Sequence, residues 1–160
     1  MLIVDRISYS IGLSKRLYAE TASGVWVGSR RQAKSFSGHI LGTIMTLALG
    51  MMGGAVKVGI LSKSGRDKII PKGLIFGISF GAIITGLTSG FAMNKVKPKD
   101  ANSNLSYVAA SGIYGIVTAL LISKLGDDSL FDAKPQNDYI KPTIPTGEEK
   151  KQNVIGVVAK

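Results

Sequence analysis

Three uncharged stretches, each as long as a bilayer is thick, constrain this chain more than any other feature. Residues 36–56 (FSGHILGTIMTLALGMMGGAV) hold His39 as their only His, Asp, Glu, Lys or Arg. Residues 73–93 (GLIFGISFGAIITGLTSGFAM) and 105–123 (LSYVAASGIYGIVTALLIS) hold none. A helix rises ~1.5 Å per residue, so each stretch measures about 30 Å, the thickness of the hydrocarbon core. None has a polar face at helical period, as a soluble amphipathic helix would. A soluble fold of 160 residues would have to bury all three with no amphipathic helices left to cover them. The pattern predicts an all-α integral membrane bundle of three transmembrane helices, over about 36–57, 72–93 and 105–123.

The borders of these spans are basic. Lys57, Lys63, Arg66, Asp67, Lys68 and Lys72 fill the first connection, and Lys95, Lys97, Lys99 and Asp100 the second. Lys57 and Lys72 stand at the edges, where an aliphatic stem can lie along the helix while the ammonium reaches a lipid headgroup. The first span begins too late and runs too long for a secretory signal.

The net charge of +10 raises the question of nucleic acid. The basic residues cluster beside the apolar spans, so anionic lipid is the nearer partner and nucleic acid is unlikely. Arg30, Arg31 and Lys34, just ahead of the first span, are the headgroup anchors expected there. In residues 1–35, Leu2, Ile3, Ile7, Ile11, Leu13 and Leu17 recur near helical spacing among Arg6, Lys15 and Arg16. This basic segment reads as an amphipathic helix on the membrane surface, as a transit-like peptide, or as a solvated tail. Residues 124–160, with Pro135, Pro142 and Pro145, read as an extended polar tail.

Glycine is unusually frequent, at 20 residues, and its placement is ordered. Gly42, Thr46, Gly50 and Gly54 recur at intervals of four in the first span, with Gly53 alongside. Gly73, Gly77 and Gly81 do so in the second, where Ala82, Gly86 and Gly90 form another row. Ser111, Gly115 and Ala119 repeat the interval in the third. Four residues advance a helix only ~40° beyond a full turn, so each row is a smooth stripe. In lipid, where no hydrophobic effect joins apolar helices, such stripes permit the close backbone approach that does. These residues, apart from Gly53 and Ala82, are the twelve expected helix-packing positions, toward other spans, other membrane subunits or a second copy.

Chemistry has little to work with. His39 has no second His, Cys or nearby carboxylate with which to build a metal site, and the chain contains no cysteine for a thiolate or a disulfide. No acid lies in any span, as a proton relay would need, and no phosphate-cradling glycine motif occurs. The expectation is no catalytic residue, cofactor or metal.

Around the first hairpin, GILS at 59–62 is followed by IPK at 70–72 and an apolar glycine-containing span, with Ser35 and Phe36 ahead of the preceding one. This hairpin, Gly59 to Lys72, resembles that of the OCIA domain, found in small eukaryotic proteins of mitochondrial and endosomal membranes. The resemblance covers about 60 residues, leaves the third span without a counterpart, and implies a non-catalytic role in assembling or tuning a respiratory-chain complex. The residues alone point to a small membrane subunit or assembly factor of a larger complex. The alternative is a pore-forming or membrane-penetrating protein, such as a virion component, oligomerising through its glycine-rich helices. The membrane expected is the mitochondrial inner membrane or a bacterial or viral one.

Overall fold

The computed structural model describes residues 1–90, 96 and 100–131. All regular elements among them are helical: α1 (Leu2–Ser10), α2 (Tyr18–Ser23), α3 (Arg30–Ala33), α4 (Phe36–Ser64), α5 (Ile69–Gly90) and α6 (Ala101–Leu125), then a 3₁₀ turn at Asp128–Phe131. Helices α4, α5 and α6 are each long and apolar enough to cross a membrane.

Local chemistry sets their ends. Ser35 Oγ accepts from Gly38 N–H at 3.2 Å and opens α4. The helix stops at Gly65, whose φ of 75° lies in the left-handed region. Gly65 N–H returns to the Leu61 carbonyl at 2.9 Å. Pro71 falls in the first turn of α5, where its missing N–H costs nothing. At α6 the Asp100 carboxylate accepts from Ser103 N–H at 3.0 Å and from Ser103 Oγ–H at 2.6 Å. These bonds hold the Asp100 carboxyl below the ordinary aspartate value.

Helices α5 and α6 form a close antiparallel pair, with Gly73 beside Ala119 and Gly81 beside Ser111. Helix α4 meets that pair at a few points only. Tyr114 Oη donates to the Gly50 carbonyl at 2.5 Å, Gly53 abuts the Phe80 ring, and Lys57 Nζ donates to the Lys72 carbonyl at 2.7 Å. At the hairpin end Leu61, Ala119 and Phe131 pack together beside Ile69 and Ile122. Arg66 reaches over this cluster, 4.6 Å above the Phe131 ring and 2.7 Å from Asp128 Oδ1.

Several boundaries differ from expectation. Helix α4 continues past residue 57 to Ser64, because nothing in 58–64 breaks it and Gly65 is the first stop. Residues 124–131 belong to α6 and the 3₁₀ turn, with Phe131 buried, rather than to an extended tail. The expected end of the second span at 91–93 and the tail over 132–160 lie outside the described residues.

The larger correction concerns residues 1–35, which are folded onto the bundle. Residues 17–24 are buried against α4 and α6, and α1 sits beside α6. The polarity of α1 is inverted: Asp5 and Ser8 face inward, while Ile3, Ile7 and Ile11 are between 55% and 76% exposed. Asp5 finds a partner there, accepting from Tyr18 N–H.

Candidate functional site

The residues singled out as packing surfaces divide into three sets. The first joins α5 to α6. A Cβ added at Gly77 would come within 2.9 Å of Gly115 Cα, and one at Gly115 within 2.6 Å of Gly77 Cα. At Gly73 an added Cβ would meet the Gly115 carbonyl and Ile116 Cα at 2.8 Å, with Ala119 close by. Gly81 lies against Ser111. Backbone stands on backbone along this seam, so even one methyl requires the helices to separate.

The second set packs on the N-terminal segment instead of on another span. Gly42 meets the backbone of Ala19 in α2, where a Cβ would lie 2.6 Å from the Ala19 carbonyl carbon. Thr46 beside it is buried and donates its hydroxyl back to the Gly42 carbonyl at 2.7 Å. At Gly50 the nearest atom to an added Cβ is a Tyr114 ring carbon at 3.9 Å, an ordinary contact. The close approach of α4 to the pair falls at Gly53 instead, where an added Cβ would lie 2.8 Å from the Phe80 ring and from Tyr114 Oη. Two aromatic side chains, rather than a small-residue stripe, set that spacing.

The third set has no close neighbour among the described residues. A Cβ at Gly54, Gly86 or Gly90 would meet nothing within 4 Å. Ala82, Gly86 and Gly90 are all exposed, so α5 uses one smooth row internally and leaves its second row open.

The expected headgroup residues also divide. Arg30, Arg31 and Lys34 are exposed on α3 and just after it. Lys57 is fully buried: its ammonium caps the Lys72 carbonyl and lies 4.8 Å from the Phe76 ring centre. Lys72 is half-buried and bonds Asp67 Oδ1 at 2.8 Å and the carbonyls of Ser64 and Gly65. Both lysines close the α4–α5 hairpin: Lys72 caps the unpaired carbonyls at the end of α4, and Lys57 adds a second donor to the Lys72 carbonyl in the first turn of α5.

Sequence reasoning missed the junction that holds the N-terminal segment. Tyr107 is buried in α6; its hydroxyl donates to the Arg16 carbonyl at 3.1 Å and lies 3.2 Å from Thr21 Oγ1. Its ring meets Tyr18 edge-on, with centroids 5.1 Å apart. Ser103 Oγ accepts from Lys15 N–H at 3.0 Å. Asp5 Oδ2 accepts from Tyr18 N–H at 2.7 Å, and Glu20 Oε1 lies 3.7 Å from His39 Nε2. Asp5 and Glu20 are both buried, and Asp5 Oδ1 and Glu20 Oε2 have no hydrogen-bond partner. Burial raises the Asp5 carboxyl from 3.8 to about 6; the Tyr18 hydrogen bond opposes that rise and the nearby Glu20 charge adds to it. The available signal was the spacing of Asp5 and Ser8, three apart and so on one helical face among apolar neighbours.

Between α4 and the α5–α6 pair lies a partly open cavity of about 490 Å³, walled by Leu47, Gly50, Met51, Phe80, Ile84 and Tyr114, with the start of α1 along one side. Among the described residues no group of His, Cys, Asp and Glu is placed to hold a metal ion. Compared with known proteins, the chain matches no family model, no curated protein and no solved structure.

Proposed function

We propose that this chain is a non-catalytic membrane subunit or assembly factor, which joins helices of a larger membrane complex through a small-residue face on α5. The observation that carries this reading is the second row of α5. Ala82, Gly86 and Gly90 are spaced for close helix contact, yet among the described residues a Cβ at Gly86 or Gly90 meets nothing within 4 Å. Gly54 on α4 is open in the same way. A glycine in a helix interior costs roughly 1 kcal/mol relative to alanine, which a packing partner would offset. Exposed Arg30, Arg31 and Lys34 supply charge for anionic headgroups beside the bundle.

The experiment compares native electrophoresis of the solubilised chain with that of Gly86→Leu and Gly90→Leu. Helical content should match the unsubstituted protein, while the assembled species shrinks to the single chain. An assembly of unchanged size in both variants would overturn the proposal.

A further inference from the structure

The cavity between α4 and the α5–α6 pair has a position, a size and a lining that together specify an occupant. Its walls are at the centre of all three long helices: Gly50 is the fifteenth of 29 residues in α4, Phe80 the twelfth of 22 in α5, and Tyr114 the fourteenth of 25 in α6. If these helices span a bilayer, its open side faces hydrocarbon near the midplane.

The wall is correspondingly apolar in character. Thr46 Oγ1 is engaged with the Gly42 carbonyl and Tyr114 Oη with the Gly50 carbonyl. Leu2, Ile3, Leu47, Leu49, Phe80 and Ile84, which make up much of the remaining lining, carry no polar side-chain group. A further helix, ~10 Å across, is too wide to enter. An apolar cavity of ~150 Å³ takes one benzene, so one of about 490 Å³ has room for about eighteen to twenty carbons in a flexible chain.

We propose that this cavity holds one acyl chain of a membrane phospholipid, inserted sideways from the bilayer between α4 and α5. Phe80 and Tyr114 hold α4 away from the pair, and Gly50 leaves width that a side chain would fill. Met1, Leu2 and Ile3 line the remaining side, so the folded N-terminal segment forms part of the site. The proposal rests on the reading of α4, α5 and α6 as spans and is independent of the assembly role.

The test uses the full chain in phosphatidylcholine vesicles with a small share of phosphatidylcholine bearing a mid-chain diazirine. After photolysis, adducts are mapped by mass spectrometry. They should concentrate on Leu49, Phe80 and Ile84, half-buried residues of the cavity wall, over the outward-facing Ile75 and Leu121. Gly50→Phe should fill the cavity and abolish the first group of adducts while sparing the second; the open geometry at Gly50 leaves room for the ring. Ile84→Trp fills the same space from α5 and should act alike, and the unsubstituted map decides the matter if neither variant folds. Adducts spread evenly over cavity and outer faces, or cavity adducts unchanged by filling, overturn the site alone. A chain that alkaline carbonate washes from the vesicles overturns the span reading, and the site with it.

Discussion

Tyr107 ties together parts of the chain about ninety residues apart. Replacing it with Phe keeps the edge-on ring contact and removes the hydroxyl's bonds to the Arg16 carbonyl and Thr21 Oγ1, while Ser14 Oγ still donates to that carbonyl at 2.7 Å. The cost expected is about 0.5–1.5 kcal/mol, the usual net worth of a hydrogen bond. It should appear as earlier proteolysis within residues 1–35, with α4, α5 and α6 unaffected. Asp5 acts in the opposite sense. Its carboxyl titrates at about 6 in the folded chain against 3.8 unfolded, so the folded segment holds its proton more tightly. The penalty is absent below pH 3.8, grows as pH rises through about 6, and is complete above it. The groups around it are the Met1 amino group, Tyr18, Glu20 and Tyr107, with His39 beside Glu20. Asp5→Asn should therefore protect residues 1–35 from proteolysis at pH 7.5, and should narrow the difference between pH 7.5 and pH 4.5. An unchanged pH response would show that Asp5 is ionised in the folded segment throughout. Lys57 teaches a related lesson: a lysine at a span's edge turns inward when the neighbouring helix offers a carbonyl and an aromatic face.

At the scale of elements, α5 is the informative helix. Its two rows, Gly73–Gly77–Gly81 and Ala82–Gly86–Gly90, are both of small residues at the same interval, and only the first touches α6. That a small-residue face exists was legible, because spacing alone defines a stripe. Which face the chain uses for itself was not, since the choice depends on the register of α6, set at a distance by Ser111, Gly115 and Ala119. The two rows should respond differently to the same change. Gly77→Leu forces a side chain into backbone and should destabilise the bundle by about 1–3 kcal/mol or more. Gly86→Leu should stay within about 0.5 kcal/mol, as surface substitutions do. Thermal melting of the two variants in one detergent checks this, and equal losses would place both rows in contact. The N-terminal helices were not legible for a different reason. A soluble amphipathic helix turns its apolar side inward, and α1 turns Asp5 and Ser8 inward instead. Read by the soluble rule, its polarity points the wrong way.

For the molecule as a whole, the decisive property is what surrounds it. Ile44, Met51, Ile75, Ile83 and Leu121 are each more than half exposed on the long helices, far more apolar surface than a soluble protein presents to water. The three spans were readable from length and the absence of charge, both of which are one-dimensional properties. The arrangement of α4 away from its neighbours depends on two aromatic rings, which no periodicity announces. The chain contains no cysteine, so single cysteines report without interference. The direct measurement is labelling by a membrane-impermeant maleimide, in permeabilised vesicles, of single cysteines at Ile75, Leu121, Lys34 and Lys68. The account predicts that Lys34→Cys and Lys68→Cys react readily, whereas Ile75→Cys and Leu121→Cys stay unlabelled until the membrane is dissolved. Ready labelling at Ile75→Cys and Leu121→Cys in the intact bilayer would place those faces in water and contradict the account.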